Sequence, residues 1–277
     1  MKRPLALVCM GLIFCTGMSG AKTIKKLWKS VTDPIASALE ASESAFYSRE
    51  FDLPEKDGRI VIKNIEGSVA LAHSKANKLF VEAEKRGKKS LLQSTHISVQ
   101  THGDTTTIET KLDKPQNSVS VYYTITVPES ASVVVEQQSG DIWVRSVRCP
   151  ISLQASESGS IHIEHGSNSV TARALQGSIS LIQERLPRHA NIFLEAHGAI
   201  TVVLPDGANA NLNAQTAKGL ITSTIPITIE RLTTKLTAKD LRNLRNRVTG
   251  TLGTGGASIT LDATKGPIKI SAVGDEG

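Results

Sequence analysis

The stretch IHIEHG at 161–166 gathers two histidines and a glutamate within six residues. On a strand, His162 and Glu164 share one face while Ile161 and Ile163 take the other. An outward His/Glu pair can contribute to a metal site, but two ligands of mixed kind do not complete one. The plainer reading is an exposed polar strand face, with His165 at the following turn. His73, His96, His102, His189 and His197 are scattered without ligand spacing. A second chemistry is glycoside cleavage, which needs two carboxylates across one bond. The repeating part of the chain carries Asp141, Glu157, Glu164, Glu184, Glu195 and Asp206 as candidates. Asp141 and Asp206 adjoin glycines, where short acidic side chains cap turns. Beyond Val144 the only aromatic residue is Phe193, so no stacking platform for a sugar or a single nucleic-acid strand accompanies the acids. Cys149 precedes Pro150, with no histidine in the next ten residues. There is no phosphate loop, and no serine stands out as a nucleophile. The residues therefore predict no catalytic centre, no metal site and no cofactor.

The elements that would carry these side chains form a repeat. SGDIWV at 139–144, SGSIHI at 158–163, LQGSISL at 175–181, HGAITV at 197–202, KGLITS at 218–223 and KGPIKI at 265–270 restate one phrase. Glycines 140, 159, 177, 198 and 219 are spaced by 19, 18, 21 and 21 residues. ISLQAS (151–156), SVTARAL (169–175), NIFLEA (191–196), ANLNAQT (210–216) and SITLDAT (258–264) precede them as second strands. One unit thus reads strand, glycine turn, strand, loop. Such a unit buries its apolar face only by stacking on its neighbours. The pattern predicts one interior ladder of Ile142, Ile161, Ile179, Ile200, Ile221 and Ile268, and another of Leu153, Leu194, Leu212 and Leu261. Ala155, Ala174, Ala196 and Ala263 fall near the turn, where space is short. The glycines are expected to supply a backbone conformation that a Cβ opposes, and strand twist predicts a right-handed coil. Upstream, GRIVIKNIEGSVALA and NSVSVYYTITV alternate as strands, the latter ended by Pro128.

Three segments depart from the repeat. Residues 1–21 read as a signal peptide: Lys2 and Arg3, an apolar Leu5–Phe14 core, and a small-residue Ser19-Gly20-Ala21 cleavage site. Cleavage would start the mature chain at Lys22; lipidation at Cys15 and an uncleaved anchor are alternatives. Removal of 1–21 lowers the net charge from +6 to +4 and leaves Cys149 as the lone cysteine, so no internal disulfide forms. A mildly basic chain is not a nucleic-acid signature. Residues 22–55 form a basic amphipathic linker, with Lys22, Lys25, Lys26 and Lys29 around Ile24, Leu27 and Trp28, then Ile35, Ala38 and Leu39 at helical spacing after Pro34. It either caps the following domain or lies on an anionic membrane. A helical insertion is expected at about 233–248, with Lys239, Arg242, Arg245 and Arg247 as a candidate patch for an anionic partner.

The ordered phrases VIKNIEGSVAL, VSVYYTITVP, QQSGDIWV, ISLQASESGSIHI, ITVVLPDGANANLNAQTAKGLITS and GTGGASITLDATKGPIKI resemble the bacterial putative-adhesin family, a β-strand-repeat domain of unknown function. The likeness spans roughly 56–273. It implies a single-stranded right-handed β-helix and an exported or membrane-tethered protein, without a catalytic motif. The expectation is therefore an all-β, right-handed β-solenoid-like domain over 56–273, with a short N-terminal helical segment and one helical insertion. Its expected role is adhesion, scaffolding or envelope interaction in the periplasm, envelope or medium. Binding of an anionic envelope polymer or lipid is the alternative, and a polysaccharide-active enzyme the third reading.

Overall fold

The computed structural model describes residues 43–53, 58–74, 78–113, 119–166, 169–229 and 246–274. In chain order the strands are β1 (Glu43–Asp52), β2 (Arg59–Ser74), β3 (Lys78–Gly87), β4 (Thr95–His102), β5 (Thr105–Leu112), β6 (Ser120–Pro128), β7 (Ser132–Ser139), β8 (Ile142–Arg145), β9 (Ile151–Ser158) and β10 (Ile161–Glu164). They continue as β11 (Ser169–Ala174), β12 (Ile179–Ile182), β13 (Asn191–Ala196), β14 (Ile200–Leu204), β15 (Ala210–Thr216), β16 (Ile221–Ser223), β17 (Ile227–Ile229), β18 (Arg247–Leu252), β19 (Ala257–Ala263) and β20 (Ile268–Ala272). A five-residue helix, α1 (Lys89–Gln93), lies between β3 and β4. The fold is all-β, and the strands of the described residues join in one hydrogen-bonded network of 20.

Two long ladders make up that network. One, here sheet A, runs β1, β3, β6, β2, β8, β10, β12, β14, β20, β16. The other, sheet B, runs β4, β5, β2, β7, β9, β11, β13, β19, β15, β18, β17. Pairing is parallel from β6 to β16 in A and from β5 to β15 in B; antiparallel strands flank both ends of B and the β6 end of A. Each repeat places its first strand in B and its second in A, with the glycine between. Strand β2 alone spans both, bending at Gly67.

The isoleucine ladder forms as the sequence predicts: Ile142 pairs with Ile161, Ile161 with Ile179, and Ile179 with Ile200. Its last step differs, because Ile268 stands between Ile200 and Ile221. The first five of these isoleucines in space are fully buried, and Ile221, on the outermost strand, is partly exposed. Each fully buried side chain contributes about 1.5–3 kcal/mol over an exposed one. The leucine ladder is corrected. Leu194 pairs with Leu261, but Leu153 reaches Leu194 through Ala172, and Leu212 pairs with Ile259, two residues out of register. The alanine row holds: Ala155, Ala174, Ala196 and Ala263 are in register and buried.

The stack therefore departs from chain order at both ends. The layer β19–β20 inserts between β13–β14 and β15–β16, and β2 inserts between β5, β6 on one side and β7, β8 on the other. The expected helical insertion lies mostly outside the described residues. Arg247 and Val248, placed in that helix from sequence, instead open strand β18, which pairs antiparallel with β15 and β17. The signal peptide and residues 22–42 also lie outside the described residues, and β1 falls within the stretch read as linker.

The repeated glycines have a second reason beyond conformation. Gly67, Gly140 and Gly159 do adopt positive φ, near 116–118°. Gly177, Gly198, Gly219 and Gly266 do not, so the expected backbone requirement is corrected there. What they share is contact: a Cβ on Gly140 would overlap the Gly67 carbonyl, one on Gly159 the Gly140 carbonyl, and one on Gly177 the Gly159 carbonyl.

Ile179→Asp buries an unpaired charge and is expected to cost about 4 kcal/mol or more, whereas Ser180→Asp, one residue on and facing outward, costs about 0.5 kcal/mol. Chemical denaturation of the two variants checks this; equal losses would refute the alternation. Gly177→Ala, at a glycine without positive φ, drives a methyl into the Gly159 carbonyl and is expected to cost about 3 kcal/mol or more. Gly207→Ala, at φ 69° with open space around it, costs only about 1–2 kcal/mol of left-handed strain. Comparing their melting temperatures separates contact from conformation.

Candidate functional site

The turns after Gly159, Gly177 and Gly198 are each held by a side chain from the neighbouring layer. Asp141 Oδ1 accepts a hydrogen bond from the Ser160 amide at 2.7 Å, Ser160 Oγ from the Ser178 amide at 3.2 Å, and Ser178 Oγ from the Ala199 amide at 3.0 Å. Asp141 is thus a structural cap, as its place beside a glycine predicts.

Glu157, Glu164 and Glu195 are also engaged across layers. Arg145 Nε donates to Glu164 at 2.7 Å, Gln138 Nε2 to Glu157 at 2.6 Å, and Arg173 Nε lies 3.2 Å from Glu195 Oε2. Asp206 sits in the exposed Pro205–Gly207 turn. These partners sit one layer apart, because residues at one repeat position align on neighbouring strands. Lys239, Arg242 and Arg245 lie outside the described residues; Arg247 is exposed on β18. Among the described residues no group of three or more metal-ligating side chains forms.

His162 and Glu164 face outward while Ile161 and Ile163 are buried, as the alternation predicts. The structure adds a partner that sequence reasoning missed. Trp143 stacks on His162, ring centroids 4.0 Å apart and planes 16° from parallel. The signal was present: the two residues occupy the same position in successive units and pair across β8 and β10. Burial holds the His162 imidazole below the usual histidine range, opposed by the nearby Asp141 and Glu164 carboxylates.

An open cleft of about 550 Å³ lies beside this face, at the loops that follow the sheet A strands. Ser146, Arg148, His165, Gly166, Glu184 and Arg185 are among its lining residues. Ser146 and His165 are the non-glycine residues with positive φ among those described, at 55° and 53°. They follow the paired Arg145 and Glu164, so they stand at equivalent positions in adjacent layers. His165 Nδ1 lies 3.3 Å from Glu184 Oε1. A serine, a histidine and a glutamate are the residue types of a nucleophile, its base and an orienting acid. The linkage is incomplete: among the described residues no hydrogen bond joins Ser146 to His165, and the His165–Glu184 contact lacks hydrogen-bond geometry. Cys149, near the cleft in sequence, is buried, and burial pushes its thiol up to about 11, which keeps it protonated and unreactive.

No protein-family model and no curated protein matches the chain. Solved structures do. A putative cell adhesion protein from Clostridium sporogenes is 10% identical, with a TM-score of 0.46, covering 83% of this chain and 100% of its own. The chain resembles proteins named as putative adhesins. One from Bacteroides fragilis is 13% identical, with a TM-score of 0.29, covering 82% of this chain and 97% of its own. A putative lipid binding protein from Parabacteroides distasonis is 14% identical, with a TM-score of 0.26, covering 82% and 96%. Among the described residues no helix is long and apolar enough to cross a membrane.

His162 gives a pH signature. Its folded state favours the neutral ring, while the unfolded residue takes up a proton near 6.5. The stability this contributes is present above 6.5 and is lost as pH falls from there toward the folded value. The melting temperature should fall over that window, and His162→Gln should flatten the fall. An unchanged pH slope in the variant would refute the assignment.

Proposed function

We propose that the protein is an exported, non-enzymatic right-handed β-solenoid that serves adhesion, scaffolding or envelope interaction. Its proposed parts are a signal peptide over 1–21, a basic linker over 22–55 and the solenoid over 56–273. The parallel ladders and the regular alternation of units between two sheets support a coil.

The observation that carries the functional reading is the pair of outer faces. On sheet B, Ser152, Thr171, Phe193, Thr260 and Asn213 form one outward row, and Gln154, Arg173, Glu195, Asp262 and Gln215 the next. Gln215 Nε2 donates to Asp262 at 2.7 Å, and the Arg173 guanidinium lies 5.4 Å from the Phe193 ring centre. On sheet A the row is Trp143, His162, Ser180, Thr201, Lys269 and Thr222. Short polar groups on fixed strands lose little side-chain freedom when a partner binds. Asp141, Glu157, Glu164 and Glu195 are meanwhile occupied in caps and cross-layer pairs rather than converging on one bond. Exposed Arg247 supports the alternative of anionic-polymer binding, together with Lys239, Arg242 and Arg245.

Sedimentation of the purified protein with envelope fragments tests the reading. Thr171→Arg with Thr260→Arg should abolish binding while the melting temperature stays within a few degrees. If charge reversal of Arg242, Arg245 and Arg247 abolishes it instead, the anionic-polymer reading replaces adhesion. A parallel screen of ester and polysaccharide substrates should show no turnover; turnover that disappears in Ser146→Ala would establish an enzyme.

A further inference from the structure

The outward face of sheet A changes character toward its β3 end. Ser180 and Thr201 on β12 and β14 are half-buried, as expected of a solvated face. On β2, Ser68, Ala70, Ala72 and Ser74 also point outward, since Val69 and Leu71 point into the core. Yet their exposures are 5%, 1%, 6% and 3%. On β6 the outward Tyr122, Thr124 and Thr126 are buried as well. Among the described elements β6 packs against β2 and β3, and β2 against its ladder partners β5, β6, β7 and β8. All of these are strand neighbours within the ladders.

The result is a groove whose floor is mostly small side chains, with Tyr122 at its Glu84 end. Trp143 on β8 stands on one side, in the row of Ala70 and Thr124. Phe80 and Glu82 on β3 stand on the other, in the rows of Thr126 and Thr124. Two groups in the floor call for a partner. Ser68 Oγ and Thr124 Oγ1 are buried and make no hydrogen bond among the described residues. A buried hydroxyl without a partner is costly, and such groups are nearly always satisfied.

We propose that the basic amphipathic segment 22–42 of the same chain docks in this groove. Three observations converge on that occupant. The described chain begins at Glu43, which pairs with Gly87 at the end of β3, next to the Glu84–Tyr122 end of the face. The preceding 21 residues, if helical, span about 30 Å at 1.5 Å per residue, and the face from β3 to β8 is about 15 Å across at 4.8 Å per strand. The segment's apolar residues, Ile24, Leu27, Trp28, Ile35 and Leu39, suit a floor of alanine and threonine, and its lysines at 22, 25, 26 and 29 complement Glu66, Glu82 and Asp141 at the rim, where Arg86 and Arg145 are already paired with Glu84 and Glu164. Docked in this way, the segment is a built-in strap and not a membrane contact.

The chain's two tryptophans, Trp28 and Trp143, supply the test. In the full chain carrying Trp143→Phe, emission from Trp28 should be blue-shifted and severalfold less sensitive to iodide than that of a free peptide of residues 22–42. Adding Ala70→Arg, which fills the groove, should restore peptide-like quenching. Because that variant can disturb the sheet, Ile24→Asp with Leu27→Asp provides a second, on the segment side: it should expose Trp28 while leaving the domain's melting temperature unchanged. Trp28 quenched like the free peptide in the starting protein would overturn the proposal. So would shielding that appears only with anionic vesicles, which marks a membrane anchor, or only at high protein concentration, which marks a second copy.

Discussion

The close approach of successive glycine turns sets the dimensions of this molecule. Each layer's turn lies so near the turn before it that no Cβ fits between them. Next to the turns runs the alanine row, where opposing strands are near and only a methyl group is accommodated. One pair of residues further from them the strands admit isoleucine and leucine, so side-chain size grades outward from the glycine seam. The same seam brings post-glycine side chains within reach of the next layer's amides, which is why Asp141, Ser160 and Ser178 cap in series.

At the stack's ends the alanine row gives way to polar residues. In register with it stand Gln137, Asn64 and Thr110 at one end and Thr216 at the other. Gln137 Nε2 donates to the Gly67 carbonyl at 3.2 Å, and Thr216 Oγ1 to the Gly266 carbonyl at 2.9 Å. Asn64 Nδ2 donates to the Val121 carbonyl at 2.9 Å, and Asn64 Oδ1 accepts from Thr110 Oγ1, which also lies 2.7 Å from the Tyr123 hydroxyl. Burial pushes the Tyr123 phenol up, so it stays protonated within this network. Where the regular stacking of equivalent turns ends, side-chain amides and hydroxyls take over the bonding to turn carbonyls, as buried polar groups require.

Local pattern carried much of the architecture and little of its order. Alternation separated Ile161 and Ile163 from His162 and Glu164 because side-chain direction in a strand depends only on its own residues. Which layer lies beside which depends on pairing, and every unit offers nearly the same inward residues: Ile268 accepts Ile200 on one side as readily as Ile221 on the other. The antiparallel strands β3, β4 and β5 lack the glycine phrase that made the other units visible. The Trp143–His162 stack could have been read from the repeat spacing. The approach of Ser146, His165 and Glu184 could not, since it depends on left-handed turns at residues that carry no glycine signal.

The displaced order at the stack's ends bears on mechanics. A column whose final layer is also its outermost can be unwound by tension one turn at a time, each step breaking contacts on a single side. Here the last layer of the chain, β19–β20, is gripped by β13–β14 beneath and β15–β16 above, and the first, β2, is gripped likewise between β5, β6 and β7, β8. A force on the C-terminal side must therefore break two sets of backbone hydrogen bonds together before β20 is released, whereas on the N-terminal side the edge strand β1 is held by β3 alone. Load at that C-terminal end is shared by two parallel rows, so the fold resists pulling from its C-terminal side more firmly than from the side of β1.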